Sequence, residues 1–289
     1  MIDLHLHTTA SDGRSSPQQL VQAARRAGVR VLAVTDHDTV AALDLVAAAC
    51  SDAGIEWVPG VEITSMREQV DVHVLGYFID HRSPVLTTFL AAQAVDRLRR
   101  VREMLAKLRA LGIDLDADAL LDGHDRSGGG WVGRPLLARA LVRRHAVRST
   151  REAFDTYLAE GGAAWVPRRA PSPVDVIALI HEAGGIASLA HPGLTGHDEW
   201  IASMAAAGLD ALEVYYVEHS PQLTTHYRVL AERLGLGMSG GSDYHGDPSY
   251  GPARPGSVWL PDQAFEELKR KLEQVRRVVH DDGVVGGMC

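Results

Sequence analysis

His5 and His7 are separated by a single residue in the opening run Asp3-Leu4-His5-Leu6-His7. In a β-strand, residues two apart point the same way. The two imidazoles therefore stand side by side, while Leu4 and Leu6 are expected to face the core. Neutral imidazoles at a strand end suit a first-row divalent metal. The polar loop that follows offers a carboxylate at Asp12. One such pair is weak evidence, but the pattern recurs. Thr35-Asp36-His37-Asp38-Thr39 stands where an apolar strand stops and a helix starts, which is the active face of parallel α/β architectures. Helix capping by Asp38 or Thr39 accounts for one residue and leaves Asp36 and His37 unexplained. Glu62 breaks the apolar run 60–64, and a core carboxylate is costly unless it is paired or bound to metal. His73 interrupts the run 72–75, where a single histidine is more often a satisfied core residue than a ligand. His191 ends the run 186–190, and Asp243 and His245, again two apart, end the run 238–242.

Six strand ends that each carry His, Asp or Glu are hard to ascribe to chance. The nine candidate ligands are His5, His7, Asp12, His37, Glu62, His73, His191, Asp243 and His245. They exceed the three or four of a single catalytic zinc site. They point instead to two or three metals sharing carboxylates, an arrangement that clamps an in-line displacement at phosphorus.

The elements that must position these residues alternate. Strands are expected at 2–7, 29–35, 57–64 and 70–78, with helices at 17–27 and 39–53. Repeated β-then-α units suggest a parallel sheet or barrel. The rhythm changes near Ser83. Residues 84–111 read as one long helix, with Leu98, Val101, Leu105 and Leu108 on one face. A loop rich in Asp and then Gly spans 114–130, and two helices follow at 135–145 and 150–159. Alternation then resumes, with helices at 174–183, 199–207, 221–234 and 262–275 and strands at 186–190, 212–216 and 238–242. The division is a core domain at 1–82 and 167–289, interrupted by a helical insertion at 83–166 that covers its mouth. The last residues, 283–289, read as frayed.

Composition narrows the partners. The chain has 289 residues, 46% of them hydrophobic, which is ample for a buried core. Its net charge of −8 argues against holding long duplex by bulk electrostatics. Two cysteines build neither a disulfide framework nor a CxxC zinc site. No signal peptide or membrane-spanning helix is expected, so the location reads as cytoplasmic. Seven arginines and no acidic residue lie between Arg126 and Arg151, and most read as a solvated face. Arg134 stands apart. It precedes Pro135, the preferred first residue of a helix, and a guanidinium at a helix N-terminus makes an anion site. It is the candidate for the substrate phosphate. His197, near a helix start, is a weaker candidate for phosphate binding or general acid.

Taken together, DLHLHTTASDG, VTDHDT, PGVEIT, His73, AHPG and GGSDYH resemble the PHP (polymerase and histidinol phosphatase) phosphoesterases across nearly the whole chain. The resemblance implies an α/β fold, a distorted (β/α)7 barrel, with a trinuclear centre. It assigns His5, His7, Glu62 and Asp243 to a first metal and Asp12, His37 and His245 to a second. Glu62 would bridge to a third, completed by His73 and His191. Asp12 stands where some members have His, and it is counted among both the ligands and the substrate contacts. Two or three divalent ions are implied, Mn2+ first, with Fe2+ or Zn2+ as alternatives. The insertion and the phrase VGRPLLARALV resemble one subgroup, the nucleoside 3′,5′-bisphosphate phosphatases and 5′-to-3′ oligoribonucleotide exonucleases. Leu136 stands where members often have His.

The expected chemistry is in-line attack of water at phosphorus, with Arg134 and His197 holding phosphate oxygens. Asp243 or Asp36 would manage the proton, unless Asp36 orients a ligand histidine. The expected partner is a small nucleotide or a short single-stranded oligonucleotide end. Two rivals remain: an amidohydrolase acting on C–N bonds, and a catalytically silent metal-binding module. All three lysines lie on expected helices, away from strand ends, which counts against the first. The nucleophile-elbow pattern Gly237-Met238-Ser239-Gly240-Gly241 is discounted, because its strand should run on to Asp243.

Overall fold

The apolar runs form seven strands in the computed structural model, which describes residues 1–122, 132–247 and 253–285. These are β1 (Ile2–Asp3), β2 (Val31–Val34), β3 (Glu56–Arg67), β4 (Val70–Tyr77), β5 (Ile186–Leu189), β6 (Ala211–Tyr216) and β7 (Gly237–Gly241). They lie side by side in sequence order. The two edges also meet. The Leu4 amide donates to the Gly240 carbonyl at 3.1 Å, the Asp243 amide donates to the His5 carbonyl at 2.8 Å, and Leu6 bridges Tyr244. The sheet is thus a nearly closed barrel.

The barrel is not all parallel. β4 pairs antiparallel with both of its neighbours, β3 and β5, while β3 stays parallel to β2. The hairpin turn is Glu68-Gln69, with φ of 51° and 70°. Two positive φ values are the geometry of the tightest hairpin, normally announced by Asn-Gly or Asp-Gly. Glu-Gln gives no such signal, which is why the reversal was not expected from the sequence.

The helices are α1 (Pro17–Arg26), α2 (Leu43–Ala53), α3 (Pro84–Ala110), α4 (Ala117–Leu121), α5 (Arg134–Arg143) and α6 (Thr150–Ala153). After them come α7 (Pro173–Glu182), α8 (Pro192–Thr195), α9 (Ile201–Ala206), α10 (Pro221–Leu234) and α11 (Asp262–Val285). α6 runs on into a π-helical turn, Phe154–Leu158. Two short helices break expected loops. α4 starts where the Asp116 carboxylate accepts the Ala119 amide, and α8 follows His191-Pro192 directly. α2 begins later than expected and its first turn has no side-chain cap, because Asp38 is engaged elsewhere. The rest of the Asp- and Gly-rich loop, including Arg126, and the tail beyond Val285 lie outside the described residues.

Side chains of the strands enter two clusters. One packs against the surrounding helices and contains Leu6, Leu32, Val34 and Val61. The other contains Ile2, Leu4, Val31, Val58 and Leu75, with Phe265 and Leu268 of α11. Leu4 and Leu6 therefore face different clusters rather than one. Regular pairing with β2 covers Ile2–Asp3, and Leu6 lies beyond it, bridging Tyr244 and accepting the Thr35 amide at 2.9 Å. A third cluster, from Val101 to Val166, gathers residues of α3, α4, α5 and α6 and of the segment that follows them. α3 serves two of them, with Leu86 and Leu90 packed on the barrel and Met104 and Leu108 in the insertion.

Closure depends on Gly241. A Cβ there would lie 2.4 Å from the His5 amide nitrogen and 2.6 Å from the His5 Cβ. Ser239 of the elbow-like pattern is buried inside β7 and shares a 2.8 Å hydrogen bond with Ser188, so it serves the sheet. Gly241→Ala should overpack this seam and lower stability by about 1–3 kcal/mol. That is a drop of roughly 2–4 °C per kcal/mol in thermal unfolding. A melting temperature equal to the parent's would contradict the role given to this glycine.

Candidate metal centre

The candidate ligands gather in one cluster, and a single carboxylate sits at the middle. Glu62, on β3, is 0% exposed. Its Oε2 lies 3.2 Å from His5 Nε2, 3.3 Å from His7 Nε2 and 3.2 Å from His37 Nδ1. Its Oε1 lies 2.8 Å from His73 Nδ1 and 3.1 Å from His191 Nε2. Asp243 Oδ1 approaches His7 Nε2 to 3.0 Å and His5 Nε2 to 3.3 Å. Asp12 lies 3.2 Å from His245 Nε2 and 3.8 Å from His37 Nε2. The structure thus brings all nine candidate ligands together. Three overlapping groups have ligand atoms within 4.8 Å of one another: His7, Asp12, His37 and His245; His5, His7 and Asp243; His37, Glu62 and His73.

The contacts fit a shared cation better than direct pairing. Both ring nitrogens of His7 and Oδ1 of Asp243 are buried, yet neither residue completes a well-directed hydrogen bond through them. Burying such groups without partners is costly. Burial alone would raise the carboxyls of Asp12, Glu62 and Asp243, but the surrounding imidazoles outweigh it and hold all three ionised. Burial pushes His37 down to about 4, leaving a neutral ring. Burial would also lower His7, but the carboxylates of Asp243 and Glu62, 3.0 and 3.3 Å from Nε2, hold it up at about 10.

Neighbouring groups fix the ring orientations. His5 Nδ1 donates to Glu213 at 2.9 Å, which turns Nε2 toward Glu62 and Asp243. The other oxygen of Glu213 accepts the His191 amide at 2.7 Å. His245 Nδ1 donates to the Asp243 carbonyl at 2.9 Å. Tyr216 donates its hydroxyl to Asp243 Oδ2 at 3.0 Å, so only Oδ1 faces the cluster. Glu213 was not singled out from the sequence, although it breaks the apolar strand β6 just as Glu62 breaks β3. Asp38, His191 and Asp243 all have positive φ, of 48°, 26° and 50°. Such conformations persist only where the surroundings over-determine them, and they gather at functional sites.

Three expectations change. Among the described residues Asp36 hydrogen-bonds no histidine, and burial raises its carboxyl above the usual carboxylate range. Its oxygens accept the Thr8 amide at 2.7 Å, the Thr8 hydroxyl at 2.6 Å and the Ser11 hydroxyl at 2.6 Å, which anchors the loop carrying Asp12. His197 stacks on Trp200 at 3.8 Å and pairs with Glu199, and its described contacts do not include the cluster. Arg134 opens α5 itself, one residue before Pro135, and contacts Asp71 at 3.1 Å. Asp71 sits two residues from His73 on the same face of β4, about 7 Å along the strand. Around it a cavity of about 170 Å³ is lined by Arg100, Arg134, Arg168 and Trp165.

Known proteins resemble this chain in sequence and in fold. A family model described as the PHP domain matches residues 3–158. The 5′-3′ exoribonuclease Rnm of Escherichia coli is 36% identical over 90% of this chain and 89% of its own. The 3′,5′-nucleoside bisphosphate phosphatase of Chromobacterium violaceum is 35% identical over 84% of this chain and 87% of its own. Among solved structures, a chain described as a metal-dependent phosphoesterase of Bifidobacterium adolescentis superposes with a TM-score of 0.82 at 31% identity, covering 93% of this chain and 95% of that one. One described as an amidohydrolase of Chromobacterium violaceum, with sulfate bound and no metal, gives 0.82 at 33%, covering 93% and 96%.

Because His7 holds a proton near neutrality without metal, loading should release protons and tighten as pH rises. Calorimetry of Mn2+ uptake in buffers of different ionisation enthalpy would show a buffer-dependent heat. Glu213→Gln should weaken metal binding by about 10–100-fold, as loss of an orienting partner does. A buffer-independent heat would contradict the first expectation, and parent-like affinity the second.

Proposed function

The chain belongs to the PHP family and is a metal-dependent phosphoesterase, and from that premise we propose its substrate and the roles of its residues. It hydrolyses the 3′-phosphate of nucleoside 3′,5′-bisphosphates such as 3′-phosphoadenosine 5′-phosphate, giving the 5′-mononucleotide and phosphate. It also shortens oligonucleotides from the 5′ end. The observation that carries this reading is the Glu62-centred cluster lying next to a recess lined by three arginines.

His5, His7, Glu62 and Asp243 would hold one ion, Asp12, His37 and His245 a second, and Glu62 with His73 and His191 a third. Mn2+ is the first expectation, and such ligands also suit Fe2+ and Zn2+. When bound, divalent ions in such a set lower the pKa of water and neutralise phosphoryl oxygens. The protein's own part is placement. His73 is the most open ligand, with its side chain 23% exposed, and it marks where the ester enters. Arg134, with Arg100 and Arg168, would hold the second phosphate one ribose away, through forked guanidinium contacts. Tyr216 keeps Asp243 presenting one oxygen, so Asp243 acts in the cluster and not as a free base.

The C–N hydrolase alternative loses further support. Lys107 binds the Trp165 carbonyl, Lys271 the Gly235 carbonyl, and Lys269 pairs with Glu266, so each lysine is engaged on its own helix face away from the cluster. Among the described residues no helix is long and apolar enough to cross a membrane. We place the enzyme in the cytoplasm, with its nucleotide substrates.

Mn2+-loaded protein should release phosphate from 3′-phosphoadenosine 5′-phosphate and leave AMP. His37→Ala and Asp243→Ala should each abolish turnover while the circular dichroism stays that of the parent. Arg134→Ala should mainly raise KM, by about 10-fold or more for a lost charge-assisted contact. A metal-loaded parent that leaves the bisphosphate intact would remove the substrate assignment, and normal activity in either ligand variant would remove the residue assignment.

A further inference from the structure

The insertion touches the metal cluster through one buried carboxylate, Asp38, and not only through the cavity it helps to line. α3 carries the chain out into the insertion, and residues 166–168 carry it back. Each crossing sends a guanidinium to Asp38. Arg97 Nη2, on α3, donates to Oδ2 at 2.6 Å, and Arg168 Nη1 lies 3.6 Å from the same oxygen. One turn further along α3, Arg100 Nε donates to the Val166 carbonyl at 2.8 Å, which ties the two crossings together. Arg97 stands where α3 passes from the barrel cluster to the insertion cluster.

On its other side Asp38 is locked into the cluster. It follows His37 in sequence, and its amide donates to the Glu62 carbonyl at 2.8 Å. Its Oδ1 accepts the Thr64 amide at 2.8 Å, and Oδ2 lies 3.3 Å from the Thr64 hydroxyl. Thr64 is two residues from Glu62 on β3, so it points the same way. The left-handed backbone of Asp38 is therefore held from both sides, by the strand that carries Glu62 and by the insertion.

We infer that Asp38 is a positioning residue, clamped by Arg97 and Arg168, that couples the seat of the insertion to the metal ligands His37 and Glu62. The inference rests on reading the cluster as a metal centre. The pair does more than hold helices together. Without Arg97 the Asp38 carboxylate loses its closest countercharge, the contacts of Asp38 to Glu62 and Thr64 are no longer backed by the insertion, and the ions that His37 holds bind less well. Arg168 also lines the arginine recess, so one side chain serves both the clamp and the substrate pocket.

The test is Mn2+ titration of the full chain, with free ion followed by electron paramagnetic resonance, on the parent, Arg97→Met, Asp38→Asn and the pair Asp38→Asn/Arg97→Met. Arg97→Met should bind its weakest ion about 10-fold or more weaker, in the range that loss of an orienting partner produces. Its kcat should fall more than its KM rises. Stranding the Asp38 charge should also lower its melting temperature. The neutral pair removes that charge imbalance, so it should melt close to the parent yet keep the weak ion binding. It also serves as the test if Arg97→Met does not fold. Parent-like affinity in either Arg97→Met or the neutral pair would overturn the inference and leave Asp38–Arg97 a packing contact. A parent that takes up no Mn2+ would overturn the metal reading itself.

Discussion

A fully buried carboxylate ringed by five imidazoles is the constraint from which the rest of this structure follows. Glu62 is shut off from bulk solvent, and its nearest groups are the rings of His5, His7, His37, His73 and His191. An isolated ion in such a place is strongly disfavoured. The cluster is stable only if positive charge is present among those rings, as protons or as metal. The barrel supplies the geometry for this. The candidate ligands come from the segments after β1, β2, β5 and β7 and, for Glu62 and His73, from within β3 and β4, and sheet closure brings His5 against Asp243.

That closure shows how the fold and the site constrain one another. Gly241 lets β7 approach the His5 backbone, and Asp3 accepts the Ser242 amide and hydroxyl across the same seam. Burial raises the Asp3 carboxyl to about 6 against those hydrogen bonds. A folded carboxyl with a raised pKa is stabilising in its protonated form. Its contribution is present at acid pH and is lost as pH rises through about 6, so the donors around it are needed at neutral pH. A second tier of polar groups, Glu213, Tyr216 and Asp36, spends its hydrogen bonds on orienting ligands or ligand loops. The insertion joins the same network at Asp38.

Much of this was legible in the sequence, and the reason is specific. His and Glu are rare on apolar strands, so His5, His7, Glu62, His73, His191, Asp243 and His245 stood out against their neighbours. The boundaries of α1, α3 and α10 were legible because Ser or Pro opens each one. The antiparallel hairpin was not, because Glu68-Gln69 lacks the residues that normally mark two positive φ values. Asp38 looked like a helix cap, and only the tertiary structure shows that its acceptors are taken by Thr64 and Arg97. Glu213 gave the same signal as Glu62 and was passed over because it ends no motif. His197 was placed near the chemistry by sequence proximity to His191, but the turn between them carries it onto Trp200.

The central claim is that Glu62 is the shared ligand of a multi-metal centre. The most direct measurement is anomalous diffraction at the manganese edge from crystals of the Mn2+-loaded protein. The account predicts at least two peaks, on opposite sides of the Glu62 carboxylate, with His73 and His191 around one and His5, His7 and Asp243 around the other. A single peak, or peaks that Glu62 does not touch, would contradict it.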